Sequence, residues 1–294
     1  MRPSVSLVVP TLNAADEIGI LLDAILAQTV CPDEILVIDS SSDDATREVV
    51  SSYFDRGVAL SVVSRAEFNH GATRHFGFER TSGELTLFMT QDAVPSNSRY
   101  IEHLIAPLID DFTIGLVSGR QLPKQDARRF EQLVREFNYP ELPSIRDFND
   151  LPQLGIKTFF ASDVCSAYRR SYYMQCGGFD SVNTNEDMLM ASRLIARGYK
   201  VAYQPSAAVY HSHNFTPAQQ FRRNREVGLF LATHSEELSN ASEVGEGIKL
   251  IRYVSSCLLR EGRIAELAAF GVDCLARLAG NKIGRRSAGK IVQD

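Results

Sequence analysis

Through the first ninety positions, short apolar runs alternate with polar breaks, and the period of the alternation switches back and forth between two and about four. Residues 4–9 form a β-rich run ending at Pro10, and residues 15–28 then place Ile18, Leu21, Leu22, Ile25 and Leu26 at helical spacing. A second β-rich run covers residues 34–38, after the turn at Cys31-Pro32. Asp43 and Asp44 precede an expected helix to residue 53, and residues 59–63 form a third expected strand. Residues 71–80 continue with a helical pattern and residues 84–89 with a buried strand. This β-α-β-α-β alternation predicts an α/β fold with a parallel sheet and right-handed crossovers. Ligands bind such sheets beyond the carboxyl ends of the strands. The polar residues after Val9, Ile38, Val63 and Met89 are therefore the first candidates for chemistry.

Beyond residue 120 the pattern weakens. Residues 120–150 are charged and aromatic, 159–168 suit a strand, 186–197 a helix, and 201–203 and 207–210 two short strands before His211. From residue 216 the spacing is helical, and residues 245–279 keep a helical alternation of apolar and charged positions. We expect one domain over residues 1–235 and a helical appendage over 236–294. No internal repeat suggests a solenoid.

Composition narrows the class. A hydrophobic share of 44% is that of a globular chain with a core. A net charge of -5 supplies no basic field, so nucleic acid is not an expected partner; only Lys282, Arg285, Arg286 and Lys290 make a local cationic stretch. Five cysteines without a CxxC pair signal neither a disulfide framework nor a zinc cage, which suits reduced thiols in the cytoplasm. The first apolar segment is cut at Pro10, too short for a signal-peptide core or a spanning helix, and no long uncharged run follows.

Val8-Val9-Pro10-Thr11-Leu12-Asn13 and Val37-Ile38-Asp39-Ser40-Ser41-Ser42-Asp43-Asp44-Ala45-Thr46 together resemble the opening of family 2 glycosyltransferases. The resemblance covers residues 4–235. It implies the GT-A fold, with a mostly parallel central sheet, a donor half over about residues 1–120 and an acceptor half over about 121–235. By the same resemblance, Pro10, Thr11, Asn13 and Asp39 hold the nucleoside of a nucleotide-sugar donor. An ionised carboxylate only accepts hydrogen bonds, so Asp39 suits the imide N–H of a pyrimidine; a strand-end turn or helix cap is its other role. Ser42 and Asp43 suit an N-cap and its neighbour better than a ligand contact.

Asn69-His70-Gly71-Ala72-Thr73-Arg74 resembles the family segment beneath the donor, which implies that Arg74 pairs with phosphate or with a base-contacting carboxylate; a surface ion pair is the alternative. Thr90-Gln91-Asp92 stands where the family has Asp-x-Asp, whose metal bridges the donor phosphates. Thr90 replaces the first acid, leaving Gln91 and Asp92 on the donor side and Asp92 as the metal candidate. In some members a histidine matching His211 completes the metal shell, and strand alternation points His211 and His213 to one side. A divalent metal is implied, and imidazole with carboxylate leans toward Mn²⁺ over Mg²⁺. Asn185-Glu186-Asp187 resembles the motif whose second acid is the general base of inverting enzymes, which makes Asp187 the catalytic candidate. A neutral sugar hydroxyl is a poor nucleophile until such a group takes its proton. Favourable charge at a helix N-terminus is a second, compatible role for Asp187. Gly178, Glu186, His213 and Arg222 are placed on the acceptor or diphosphate side, and Ser166 and Tyr168 face either the pocket or the core.

Phe68-Asn69-His70-Gly71, Met89-Thr90-Gln91-Asp92-Ala93 and His211-Ser212-His213-Asn214 are most similar to bacterial rhamnosyltransferases. This implies a dTDP-L-rhamnose donor and a saccharide acceptor, lipid-linked, in surface polysaccharide assembly. Asp39 cannot tell thymine from uracil, so a UDP-sugar donor stays open, and a GDP-sugar donor is kept as a further alternative. The absence of tryptophan and of spanning helices suits single additions rather than polymer extrusion. The cationic stretch in the tail suits an anionic cytoplasmic leaflet, at about 1 kcal/mol per charge, a solvated helix end or a homodimer contact. Two other classes remain. A nucleotide-sugar binding protein without activity is suggested by the missing first acid. A nucleotidyltransferase would want a Gly-rich basic loop after the first strand, where Pro10-Thr11-Leu12-Asn13 stands.

Overall fold

The computed structural model describes residues 2–239, 241 and 244–291. In chain order they form β1 (Val5–Thr11), α1 (Ile18–Leu26), β2 (Glu34–Asp39), α2 (Thr46–Ser51), β3 (Val58–Val62), α3 (His70–Glu79) and β4 (Leu85–Met89). Then follow β5 (Val94–Pro95), α4 (Tyr100–Asp110), β6 (Ile114–Leu122), α5 (Arg129–Asn138), β7 (Ser144–Arg146), α6 (Leu151–Leu154) and β8 (Cys165–Arg169). The chain ends with α7 (Arg170–Gln175), α8 (Glu186–Ala196), β9 (Lys200–Tyr210), α9 (Pro217–Thr233), α10 (Val244–Arg260) and α11 (Ile264–Ile291).

One nine-stranded sheet has the order β3-β2-β1-β4-β8-β6-β9-β5, with β7 also on β9. β1 to β4 run parallel, as do β6 and β9, while β8 runs against both of its neighbours and β5 and β7 run against β9. The sheet is thus mostly parallel. β1 is buried along nearly its whole length, as a parallel strand covered on both faces must be. Val5, Leu7 and Val9 pack toward Leu21, Leu22 and Ile25 of α1, and Val8 with Ile38 toward Phe78 and Phe88 on the opposite face.

Several local expectations change. The strand expected over 159–168 begins only at Cys165, because residues 155–159 wind into a 3₁₀ turn and 160–164 form a loop. The two short strands expected before His211 are one, β9, whose register against β6 jumps from Gly119↔Gln204 to Arg120↔Ala208. Pro205 falls in that bulge, where its missing N–H breaks no ladder bond. Ser42 does not cap α2; that helix starts at Thr46, whose N–H bonds to Asp44.

The C-terminal helices are docked, not trailing. Val254 and Leu258 of α10 and Phe270 of α11 share an apolar cluster with Phe130 and Leu133 of α5. α11 lies so close along α9 that a Cβ on Gly284 would sit 1.9 Å from the Arg225 carbonyl oxygen, and one on Gly280 2.3 Å from that of Phe221. Larger residues there would force the two helices apart. Among the described residues no helix is long and apolar enough to cross a membrane. Lys290 lies on α11, but its side chain is outside the described residues.

Candidate active site

The loops after β1, β4 and β9, the loop before β8 and the start of α8 meet at one edge of the sheet and enclose a cleft of about 720 Å³. Pro10, Thr11, Gln91 and Asp92 line it from the first half of the chain, and Asp163, Glu186, Asp187, His211, His213 and Arg223 from the second.

On the first-half wall, several of the expected donor contacts brace the loops. Asp39, fully buried at the end of β2, accepts hydrogen bonds from both the N–H and the hydroxyl of Ser42 and lies behind the lining residues. Thr11 donates to the Ile38 carbonyl. Asn13, at φ 49°, accepts from the Asp43 N–H, and its own N–H donates to Ser42. Gln91 clamps both the N–H and the carbonyl of Leu12. Pro10 and Thr11 are left facing the cleft.

Asp92, His211 and His213 converge, with ligand atoms all within 4.8 Å of one another. The two Nε2 atoms are 3.5 and 3.6 Å from the Asp92 carboxylate. His211 Nδ1 lies 3.0 Å from Oε1 of Gln121. An amide oxygen only accepts, so Nδ1 carries the proton and Nε2 turns its lone pair to the cluster. Burial lowers the His211 pKa to about 3 and also lowers that of His213, so both imidazoles are neutral, the form that ligates. Two imidazoles and one carboxylate make a donor set that fits a divalent metal ion. Lys124 Nζ stands 3.0 Å from Asp92, a cation already at the carboxylate.

Across the cleft lies an acidic group built around one arginine. Arg74, 3% exposed, pairs with Glu186 at 2.6 Å, and its Nε is 3.9 Å from Asp163 Oδ2. That places Arg74 on an acid from the same motif as Asp187, and makes Glu186 its counter-ion. Asp187 is half-buried at the start of α8; its oxygens accept from the N–H groups of Asp163 and Met188 at 3.1 and 2.7 Å. Burial, followed by the like charges of Glu186 and Asp163, raises its pKa well above the usual carboxylate range. Desolvation likewise pushes Asp163 to about 6.

Two of the residues placed on the acceptor side stand elsewhere. Gly178 is not in the cleft wall: it has φ 76°, and a Cβ there would strike the His75 ring at 2.4 Å, so its role is in packing. Arg222 is exposed and points away, while Arg223, one residue on, lines the cleft. Gln220 and Glu226, three residues to either side of Arg223, share its face of the helix, a spacing visible in the sequence. Asp163 lies in the loop before β8 and not on a strand, which is why a strand over 159–168 gives no sign of it. Ser166 and Tyr168 are fully buried and both donate to Asp163 Oδ1, at 2.6 and 2.8 Å, so they hold that acid in place.

Known proteins share this architecture. At 37% identity the chain matches the O-antigen chain rhamnosyltransferase WbaN of Salmonella anatum, over 96% of this chain and 90% of that protein. It matches RfbN of Salmonella typhimurium, also an O-antigen chain rhamnosyltransferase, at 35% identity over 96% and 89%. Among solved structures, the mannosyltransferase PcManGT from Pyrobaculum calidifontis, in complex with GDP-Man and Mn²⁺, aligns with a TM-score of 0.64 at 18% identity, over 98% of this chain and 86% of that one. Residues 1–349 of Staphylococcus aureus TarS align with a TM-score of 0.58 at 16% identity, over 99% and 91%. These structural likenesses establish the GT-A fold. The sequence model of glycosyl transferase family 2 matches residues 6–177, more than half of the chain. The chain belongs to glycosyl transferase family 2, and it is a glycosyltransferase.

Proposed function

We propose that this enzyme moves L-rhamnose from dTDP-L-rhamnose, with inversion, to a lipid-linked saccharide in bacterial surface polysaccharide assembly. The supporting observation is that Asp187, without a cation of its own among the described residues, faces the same cleft as the Asp92, His211 and His213 cluster. The names of WbaN and RfbN supply the sugar and the pathway class. Asp187 takes the proton of the acceptor hydroxyl. Asp92, His211 and His213 would hold a divalent metal, which would supply charge neutralisation for the departing diphosphate. Pro10 and Thr11 border the nucleoside. Asp39 keeps acceptor positions free beside its two bonds from Ser42, but it is fully buried, so it reads the base only after the 40–44 loop moves to uncover it.

A donor screen by release of nucleoside diphosphate, with Mn²⁺ and with Mg²⁺, tests this reading. The expected result is fastest release from dTDP-L-rhamnose with Mn²⁺; a preference for a UDP- or GDP-sugar overturns the donor assignment. Silence from every donor with varied lipid-linked acceptors points instead to a binding protein. The metal site has its own check. Gln121→Leu removes the acceptor that orients His211 and is expected to weaken Mn²⁺ binding about 10–100-fold, read by electron paramagnetic resonance. Unchanged affinity would remove the histidine from the shell.

The reading places the protein on the cytoplasmic face of the membrane. Val272, Leu275 and Leu278 are at least half exposed on α11, and Lys282 and Arg286 follow them on the surface. Apolar side chains with neighbouring cations suit an anionic leaflet. Co-sedimentation with anionic vesicles that weakens with salt is expected; salt-insensitive self-association would make the same face a dimer contact.

A further inference from the structure

A second hollow, of about 200 Å³, opens beside the main cleft and shares Arg135, Tyr139 and Arg223 with it. Its volume falls below the usual range of small-molecule pockets, roughly 300–1,000 Å³, so it suits a small charged group rather than a sugar nucleotide. Three guanidinium groups line it from three separate helices: Arg135 on α5, Arg223 on α9 and Arg277 on α11. Arg135 pairs with Glu131 at 2.9 Å and Arg277 with Asp273 at 2.6 Å. Arg223 has no carboxylate partner among the described residues and lies 5.6 Å over the Phe215 ring. It is exposed at the mouth of the hollow, and neighbouring protein atoms, followed by the like charges of Arg135 and Arg277, lower its pKa. Glu131 itself lines the hollow, and Arg135 and Arg277 each already have an acid, so Arg223 is the guanidinium whose charge an incoming anion would answer, with the other two offering their remaining N–H groups.

We infer that Arg135, Arg223 and Arg277 form a second anion site, which holds a phosphate group of the acceptor while the donor diphosphate occupies the main cleft. The main-cleft residues Pro10, Thr11, Gln91 and Asp92 do not line the hollow; all of its lining residues lie beyond position 120. Guanidinium groups offer forked donors that match phosphate oxygens. A saccharide carried on a lipid phosphate or diphosphate would thus be gripped at its anionic linkage, with the reacting hydroxyl reaching toward Asp187. α11 would then contribute directly to the acceptor site. The inference rests on the proposal that the acceptor is lipid-linked, and it assigns the recognition of that linkage to named side chains.

The test is calorimetric titration of the full chain with inorganic pyrophosphate in metal-free buffer, alone and with dTDP, UDP and GDP together at saturation. Pyrophosphate is expected to bind in both conditions. Arg277→Gln, which lines only the hollow and keeps a hydrogen-bonding side chain beside Asp273, is expected to weaken pyrophosphate about 10–100-fold while changing nucleotide affinity less than about twofold. Retained nucleotide binding also shows that the variant is folded. Displacement of pyrophosphate by the nucleotides, no binding at all, or equal affinity in Arg277→Gln each overturns the inference. If none of the nucleotides binds even in a parallel titration supplied with Mn²⁺, but pyrophosphate still binds through Arg277, the donor reading fails and the anion site stands.

Discussion

Asp187→Asn is expected to keep donor affinity and to lose turnover by about 10²–10⁴-fold, the contribution of a positioned general base. The geometry separates this from a structural effect. The Asp187 oxygens accept two backbone N–H groups, and an asparagine carbonyl retains one such contact, so the start of α8 stays formed. The loss of negative charge at a helix N-terminus costs up to about 2 kcal/mol at a partly buried site. What the variant cannot do is accept a proton. Burial and the adjacent acids hold the Asp187 pKa high, which strengthens it as a base near neutral pH. For the same reason kcat/KM should climb with pH as Asp187 ionises, with a midpoint above the ordinary carboxylate value. That acid limb should be missing from the residual activity of the variant. Nucleoside diphosphate release gives turnover and calorimetry gives donor affinity. A loss under about tenfold, or an equal loss in donor affinity, would move the base elsewhere.

The strand ends were legible from local pattern alone, and with them the sheet edge that carries the site. Pro10, Asp92 and His211 end or follow β-rich runs; His213 does stand beside His211, but β9 ends at Tyr210, so the two meet in the loop beyond the strand and not by strand alternation. The partner of Arg74 was not legible. Glu186 lies 112 residues away, and which buried acid meets a buried guanidinium is decided by how α3 and α8 pack, not by spacing in either helix. Asp39 illustrates the same limit. Its motif was readable, but its enclosure by Ser42 depends on the path of the 40–44 loop. The choice of Arg222 over Arg223 was an error of helical phase, since one residue turns a side chain by about 100°. The helical tail was visible as an amphipathic pattern. Its docking was not, because close approach of α9 and α11 depends on where Gly228, Gly280 and Gly284 fall after folding.

The longest-range of these contacts also carries the largest expected effect on stability. Arg74→Met should destabilise the fold by about 3–5 kcal/mol near neutral pH, because it leaves buried acids without their counter-ion. Methionine fills much of the same volume, so the effect is electrostatic rather than a cavity. Glu186 loses its 2.6 Å partner, and Asp163 loses the cation that opposes its desolvation. The pH dependence gives the sign. Asp163, already at about 6 in the folded chain, holds a proton there that the unfolded chain has released, so its contribution to stability falls as pH rises through that window. Without Arg74 the folded values of Asp163 and Asp187 rise further, and the window extends to higher pH. At about pH 5 these two acids can take up protons and relieve much of the repulsion, whereas at about pH 8 they are driven toward ionisation. Urea unfolding of both proteins at the two pH values should therefore show a gap that is wider at the higher pH. An equal gap at both would mean that Arg74 acts through packing, and that the acids beside Asp187 are not held in place by its charge.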